Sequence, residues 1–306
     1  MRIGFSENLD KLDGSGKHKF LYRLKTEFER MGVSVVNKNP HIYLLLPGHS
    51  IKKGAKNILR LNGIIIDNKV DRSKNKSILK LAHKSDGVVY QNKFCMQAYE
   101  RFLGLNHRNS ACISNGASPE EFLPRSPQKI FLASCRWRPH KRLDDIISGY
   151  LKSKKFGLQS NLIVAGKLDG IKHKINKNPG IKYVGWQNSA QLNVLLSQSL
   201  ASLHLSWIDW CPNSMVESIV AGCPVIYSDS GGHSYIADKC GIPIRDQQWN
   251  FKPCDYYNPP RLDVTEIANA MIEMENKPIS IVNGNLYISF VAKEYLSFFL
   301  KVLDES

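Results

Sequence analysis

No apolar run in the sequence approaches the ~20 residues a membrane-spanning helix needs; the longest lie inside HIYLLLP and NGIIID. The opening residues MRIGFSEN lack the basic, apolar and small-residue succession of a secretory leader, so none is expected. Seven cysteines, at positions 95, 112, 135, 211, 223, 240 and 254, form no CxxC pair and no Cys/His cluster. That excludes a disulfide framework and a zinc site, and points to a reducing, cytoplasmic setting. Internal repeats and low-complexity tracts are missing. Acidic residues are scarce, 27 Asp and Glu against 42 Lys and Arg, for a net charge of +15. The imbalance is uneven: residues 1–128 carry 22 basic against 11 acidic side chains, and residues 129–306 carry 20 against 16. A basic first half suits an acidic partner (anionic lipid headgroups, a phosphorylated saccharide or nucleic acid), or is only a solvated face.

What is present is an ordinary soluble composition, 42% hydrophobic and 23% charged, over 306 residues, a length natural for two domains. RIGFSE reads as a strand, followed by a glycine-containing loop and an amphipathic helix with Phe20, Leu21, Leu24, Phe28 and Met31 on one face. VSVV, HIYLLLP and NILRLNGIIID read as strands, SILKLAHKS as a helix, DGVVYQ as a strand, KFCMQAYERFLG as a helix and ACISNG as a strand. PEEFLPRSPQK, rich in proline and charge, reads as a linker. The alternation then restarts with strands KIFLASCRW, NLIVAGK, IKYVGW, ASLHLSW and CPVIYSD, and helices KRLDDIISGYLKS, SAQLNVLLSQS and SMVESIVAG. Strands alternating with helices predict parallel sheets covered on both faces, here two doubly wound α/β domains with ligands at the carboxyl ends of their strands. A last helix, SFVAKEYLSFFLKVL, has a strong apolar face.

Three places could carry chemistry. Gly14 and Gly16, between the first strand and helix, allow close backbone approach to an anion, or form a plain turn. Arg136 and Lys141, five apart after the first strand of the second domain, can converge on a diphosphate, Arg as a fork and Lys as a point charge, unless CRWRPHKRLDD is a solvated basic turn. Asp209 and Glu217 stand eight apart around a Cys-Pro-Asn-Ser turn. Ser214-x-x-Glu217 fits a capping box, with Glu217 reaching back to a backbone N–H. The functional alternative places Glu217 one turn into a helix whose first N–H groups meet phosphate, its carboxylate accepting from vicinal hydroxyls.

Taken in order, these residues resemble the C-terminal domain of a retaining GT-B glycosyltransferase of the large group 1 family. Asn115-Gly116-Ala117-Ser118 with Phe122 is similar to the family's interdomain signature, Arg136 and Lys141 to its R-x4-K pair, and LIVAG and KYVGW to its next strands. Asp209 and Glu217 resemble its E-x7-E motif with the first Glu shortened, and AGCPVIYSDSGG its glycine-rich close. The likeness spans roughly residues 115–240. It implies a Rossmann-like acceptor domain over 1–124, a nucleotide-sugar domain over 125–285, and a helix over 286–306 that crosses back to the first domain.

By that resemblance Arg136 and Lys141 hold the diphosphate and Asp209 the donor sugar. Glu217 holds the ribose, Cys211, Pro212, Asn213, Ser214, Met215 and Val216 line sugar and ribose, and Val184 and Gly185 lie near the base. The donor is a nucleotide sugar, UDP-sugar by default, acting as co-substrate, with no cofactor and no metal. The chain departs from the family at Asp209-Trp210-Cys211-Pro212, where Pro212 lacks an N–H, and at Tyr235, where an acid is usual. On the acceptor side the candidates are His49, or Arg60, Asn62 and Asp67. The acceptor is expected to be a glycan or lipid-linked saccharide, anionic by the charge reading, with peripheral membrane contact through the basic half. Specific nucleic-acid binding is not expected. The rival readings are a nucleic-acid-binding or DNA-modifying protein, and a fold member that binds nucleotide sugar without turnover.

Overall fold

The structure, a computed structural model, describes residues 1–9, 16–169, 175 and 178–305. Two compact units divide the chain: unit 1 is Met1–Ser118 with Phe251–Cys254 and Gly284–Ser306, and unit 2 is Pro119–Asn250 with Asp255–Asn283.

Unit 1 is built from β1 (Arg2–Phe5), α1 (Gly16–Arg30), β2 (Ser34–Val35), β3 (Ile42–Leu45), β4 (Lys56–Arg60), α2 (Ser73–Lys84), β5 (Gly87–Tyr90), α3 (Lys93–Leu103) and β6 (Ser110–Cys112). Its strands form one sheet in the order β2-β1-β3-β4-β5-β6, every pairing parallel. The strands are short and apolar because both faces are covered. A helix α9 (Ile288–Asp304) completes the unit. Its buried Ile288, Val291, Ala292, Tyr295, Phe298, Phe299 and Val302 repeat at helical spacing and join the core of α1, β1, β3 and β4. Phe28 meets Phe299 at 6.1 Å and Phe20 meets Tyr295 at 6.3 Å between ring centroids. Each such buried ring contributes about 1.5–3 kcal/mol. Gly116 makes room for the start of α9, since a Cβ there would lie 3.1 Å from the Ile288 Cα.

Unit 2 contains β7 (Ile130–Ser134), α4 (Leu143–Lys155), β8 (Asn161–Ala165), β9 (Ile181–Gly185), α5 (Ser189–Gln198), β10 (Ala201–His204), α6 (Asn213–Val220), β11 (Val225–Ser228), α7 (His233–Ala237), β12 (Gly241–Ile244) and α8 (Val264–Asn276). The strand order is β12-β11-β10-β7-β8-β9, again all parallel. Counted within the unit this is the dinucleotide-fold order 3-2-1-4-5-6, whose direction reverses between β7 and β10. The core gathers Phe131, Trp137, Ile146, Tyr150, Leu162, Leu203, Ile267 and Met271 beneath α4 and α8.

Four expectations need correction. NILRLNGIIID is a strand only through Arg60; Leu61 N makes a last bond to Val89 O at 2.8 Å and the chain then leaves the sheet, although Ile64 and Ile66 stay buried. The expected linker is fastened to unit 2: the Arg125 guanidinium donates to the Leu196 and Ser199 carbonyls, and Ser126 N and Gln128 N bond to Ser197 O and Gln198 O. The division therefore falls after Ser118 and not after residue 124. Residues 251–254 join unit 1, where Cys254 bridges Asp67. Finally, α7, β12 and α8 fill stretches in which no element was read.

Candidate active site

Parallel α/β sheets bind ligands outside the carboxyl ends of the strands, where the strand order reverses. In unit 2 that point lies between the neighbours β7 and β10. The turn after β7 is pinned before it can carry a side chain into the site. Trp137 is 1% exposed, its Nε1 donates to Ala165 O at 2.8 Å, and its backbone N bonds Lys167 O at 2.8 Å. Gly166 must be glycine: its φ is +111°, and a Cβ would sit 1.8 Å from Cys135 O. Arg142, with φ +54°, leads into α4 in a left-handed conformation. Its buried guanidinium forks onto Asp246 at 2.5 and 2.9 Å. Lys141, held between these anchors, donates from Nζ to Asp209 Oδ2.

Asp209 arrives from β10 through a strained residue. Ile208 has φ +51°, a region that β-branched side chains occupy only when surroundings force them, at about 1–3 kcal/mol. Ser230 Oγ accepts from Ile208 N at 3.3 Å, and Tyr256 Oη donates to Ile208 O at 3.2 Å. Gly232 N donates to Asp209 O at 2.7 Å, and a Cβ on Gly231 would fall 2.7 Å from that same oxygen. The paired glycines therefore serve a close backbone approach that fixes Asp209.

The pair is charged and enclosed. Burial pushes the Asp209 carboxyl up, but the Lys141 ammonium, by its charge and its hydrogen bond, outweighs it and holds the acid at about 2. Burial works against the Lys141 charge too, and the Asp209 carboxylate more than offsets it, leaving the amine above its ordinary value. Burial drives His140 and His204 down to about 3, with Lys141 adding to both shifts. The surroundings are thus neutral imidazoles around a single ion pair.

Arg136 is elsewhere on the same turn. It is exposed and pairs with Asp169, so the two cations share a loop but not a partner. CRWRPHKRLDD is no uniform solvated turn, because Lys141 and Arg142 are enclosed in ion pairs. The capping box is absent. Pro212 is the residue before α6, with no side-chain cap, so Ser214 is the second helical residue and Glu217 the fifth. Proline suits that place because an N-cap residue donates no intrahelical bond. Glu217 is half-buried, as are Pro212, Asn213 and Ser214, while Cys211 is buried. Met215 and Val216 turn into the core, and their N–H groups bond Pro212 O at 3.0 and 3.2 Å. Val184 and Gly185 end β9, where Gly185 O accepts from Gly166 N at 2.7 Å and Val184 O from Gln187 Nε2 at 2.6 Å.

In unit 1, Gly16 is the exposed first residue of α1, and Gly14 lies outside the described residues. His49 follows β3 and meets Glu7 at 3.4 Å, and Glu7 also binds His18 Nε2 at 2.9 Å. Arg60 and Asn62 are hydrogen-bonded to each other, in a separate cluster with Asn115. Asp67 belongs to neither; its carboxylate accepts from Lys69 N at 2.9 Å. Sequence reasoning missed Glu7, His18, Asp169, His233 and Asp246. Only Asp246 had a signal, an acid just past the unread strand β12. Among the described residues no cluster suits a metal ion, and no helix is long and apolar enough to cross a membrane.

Two Rossmann-like domains, each a six-stranded parallel sheet with flanking helices, match the GT-B architecture of solved glycosyltransferases. Residues 116–248 match the model of the family "Glycosyl transferases group 1". No curated protein sequence matches the chain. Among solved structures it is similar to sucrose-phosphate synthase from Thermosynechococcus elongatus, at 12% identity over 100% of both chains and a TM-score of 0.72. AviGT4, a glycosyltransferase involved in avilamycin A biosynthesis, aligns at 13% identity over 100% of this chain and 98% of its own, with a TM-score of 0.65. Anabaena HepE in complex with UDP and glucose aligns at 13% identity over 98% of this chain and 100% of its own, also at 0.65.

Proposed function

We propose that the chain transfers a sugar from a nucleotide diphosphate donor, UDP-sugar first, to a hydroxyl of a glycan or lipid-linked acceptor, with retention and without a metal ion or resident cofactor. The observation that carries this reading is the enclosed Lys141–Asp209 pair at the strand-order reversal of unit 2. Glycosyl transfer passes through an oxocarbenium-like state, so negative charge builds on the departing phosphate. Cations set in place before the reaction stabilise that charge more than they stabilise the ground state. Lys141 is such a cation, already oriented. Arg136 is held by an exposed pair with Asp169, a contact worth about 0–1 kcal/mol, so it is released to a diphosphate at little cost. Asp209 accepts from hydroxyls of the donor sugar, Glu217 from the ribose, and Val184 and Gly185 border the base. Attack from the face the phosphate leaves, with that phosphate taking the proton, gives retention without a protein nucleophile. UDP in the HepE structure supports uridine as the first nucleotide to try.

The test is a thermal-shift panel of nucleotide sugars on the wild type, Glu217→Ala and Arg136→Ala. A bound donor at 100 times its dissociation constant raises stability by about 2.7 kcal/mol, and both substitutions should weaken the shift. If no nucleotide sugar moves the wild-type Tm, the reading fails. If donors bind but no acceptor panel yields a glycoside, the chain is a binding protein.

A further inference from the structure

Unit 1 encloses a cation that no carboxylate among the described residues neutralises. Arg60, the last residue of β4, is 1% exposed. Its guanidinium brings a positive charge into the interior. Among the described residues no carboxylate lies within ion-pair distance of it. Asp67, the nearest acid downstream, is engaged with Lys69 N. What surrounds Arg60 is neutral: one Nη donates to Asn62 Oδ1, the other to Asn115 Oδ1, and the Phe20 ring lies 4.5 Å from its carbon centre. Its Nε, also buried, finds no partner among the described residues.

The two amides are oriented by this contact. Because both turn their oxygens to the guanidinium, both point their NH2 groups away from it. The Asn62 amide nitrogen meets no acceptor among the described residues, and Asn62 is half-exposed. The backbone fixes its place, since Tyr99 Oη donates to Asn62 O at 2.7 Å. A buried positive charge thus polarises an outward N–H donor at the carboxyl end of a parallel sheet, the end where such sheets take ligands. An amide donor backed in this way by a cation favours an anion over a neutral group.

We propose that Arg60, Asn62 and Asn115 form a seat for an anionic group of the acceptor, a carboxylate or phosphate monoester on a saccharide. The inference rests on the glycosyl-transfer reading for the word acceptor, but the seat itself does not depend on unit 2. Asn62 contacts the anion directly, and Arg60 acts through it.

The experiment is calorimetric titration with methyl glucuronide, glycerol 1-phosphate and neutral methyl glucoside, in the presence of saturating UDP. The variants are Arg60→Gln and Asn62→Asp. Asn62→Asp keeps an oxygen acceptor against Arg60, so it tests the seat even where Arg60→Gln fails to fold. The wild type should bind one or both anions and not methyl glucoside, the stronger anion identifying the acceptor's acid. Asn62→Asp should weaken anion binding about tenfold or more, the loss of a charge-assisted hydrogen bond, with UDP binding unchanged. Equal binding of anionic and neutral probes overturns the proposal. So does unaltered anion binding in Asn62→Asp, or no binding up to about 50 mM, far above the ~1 mM a ligand of this size reaches. Failure of UDP to bind while the anion remains sensitive to Asn62 would sink the donor reading and leave the seat standing.

Discussion

The two units reverse their strand order at corresponding places and put opposite kinds of chemistry there. In unit 2 the reversal between β7 and β10 holds Lys141 on Asp209, two fixed charges that cancel inside a shell of neutral histidines. In unit 1 the reversal between β1 and β3 holds Glu7 between His18 and His49, one carboxylate and two imidazoles, with the His49 side chain 34% exposed. The first arrangement is preset, gripped through its backbone by Gly231, Gly232 and the strained Ile208. The second is held by side chains. A site that must meet charge developing on a phosphate gains from the first; one that receives variable hydroxyl acceptors tolerates the second.

The largest expected effect comes from breaking the unit 2 pair. Lys141→Met leaves Asp209 enclosed without its cation, which should lower stability by about 3–5 kcal/mol. The double variant Lys141→Met, Asp209→Leu should recover most of that while donor binding stays lost. Glu7→Gln in unit 1 should cost about 1 kcal/mol, because its partners remain able to hydrogen-bond. Urea denaturation of the four proteins measures the contrast, and equal losses at the two sites would erase it.

A smaller effect follows from the buried imidazoles. His140 and His204 sit at about 3, so between the ordinary 6.5 and that value the unfolded chain binds protons the folded chain refuses. Stability should therefore fall as pH drops from about 6.5, each histidine adding a slope of up to about 1.4 kcal/mol per pH unit. The Asp209 contribution behaves otherwise: present above the ordinary 3.8, it is lost only as pH falls toward about 2. Hydrogen exchange should show protection in β10 falling between pH 6.5 and 4. His204→Gln should flatten that fall; a β10 profile already flat in the wild type would mean these imidazoles are not held neutral.

The alternation of short apolar strands with amphipathic helices made most of both sheets readable from local pattern, because burial on two faces leaves its period in the sequence. The pattern was weakest where an element's partners are distant. GIPI became β12 by pairing with β11, and residues 251–254 joined unit 1 through the Asp67–Cys254 bridge and through Phe251, which packs on Phe94 and Arg101. The positions of Lys141 and Asp209 were legible from spacing, but their ion pair was not, since it joins residues 68 apart across two strands. The capping box misled because Ser214-x-x-Glu217 matches it locally, while Pro212 starts the helix two residues sooner.

The smallest effect separates backbone grip from mere conformation. Gly231 and Gly48 both have positive φ, +72° and +97°, and each stands beside a site: one against Asp209, the other immediately before His49. An alanine at either place incurs the penalty of a left-handed backbone, about 1–2 kcal/mol. At Gly48 nothing lies within 4 Å of the new Cβ, so the loss should end there. At Gly231 the Cβ would meet Asp209 O at 2.7 Å and Asp209 N at 2.9 Å, and backbone must move. Gly231→Ala should therefore add a rise in the donor KM to its loss of stability, and Gly48→Ala should leave donor KM untouched. If both variants change only the melting point, by similar amounts, then the glycines do not position Asp209, and the distinction between a backbone-held site and a side-chain-held one fails at its most direct point.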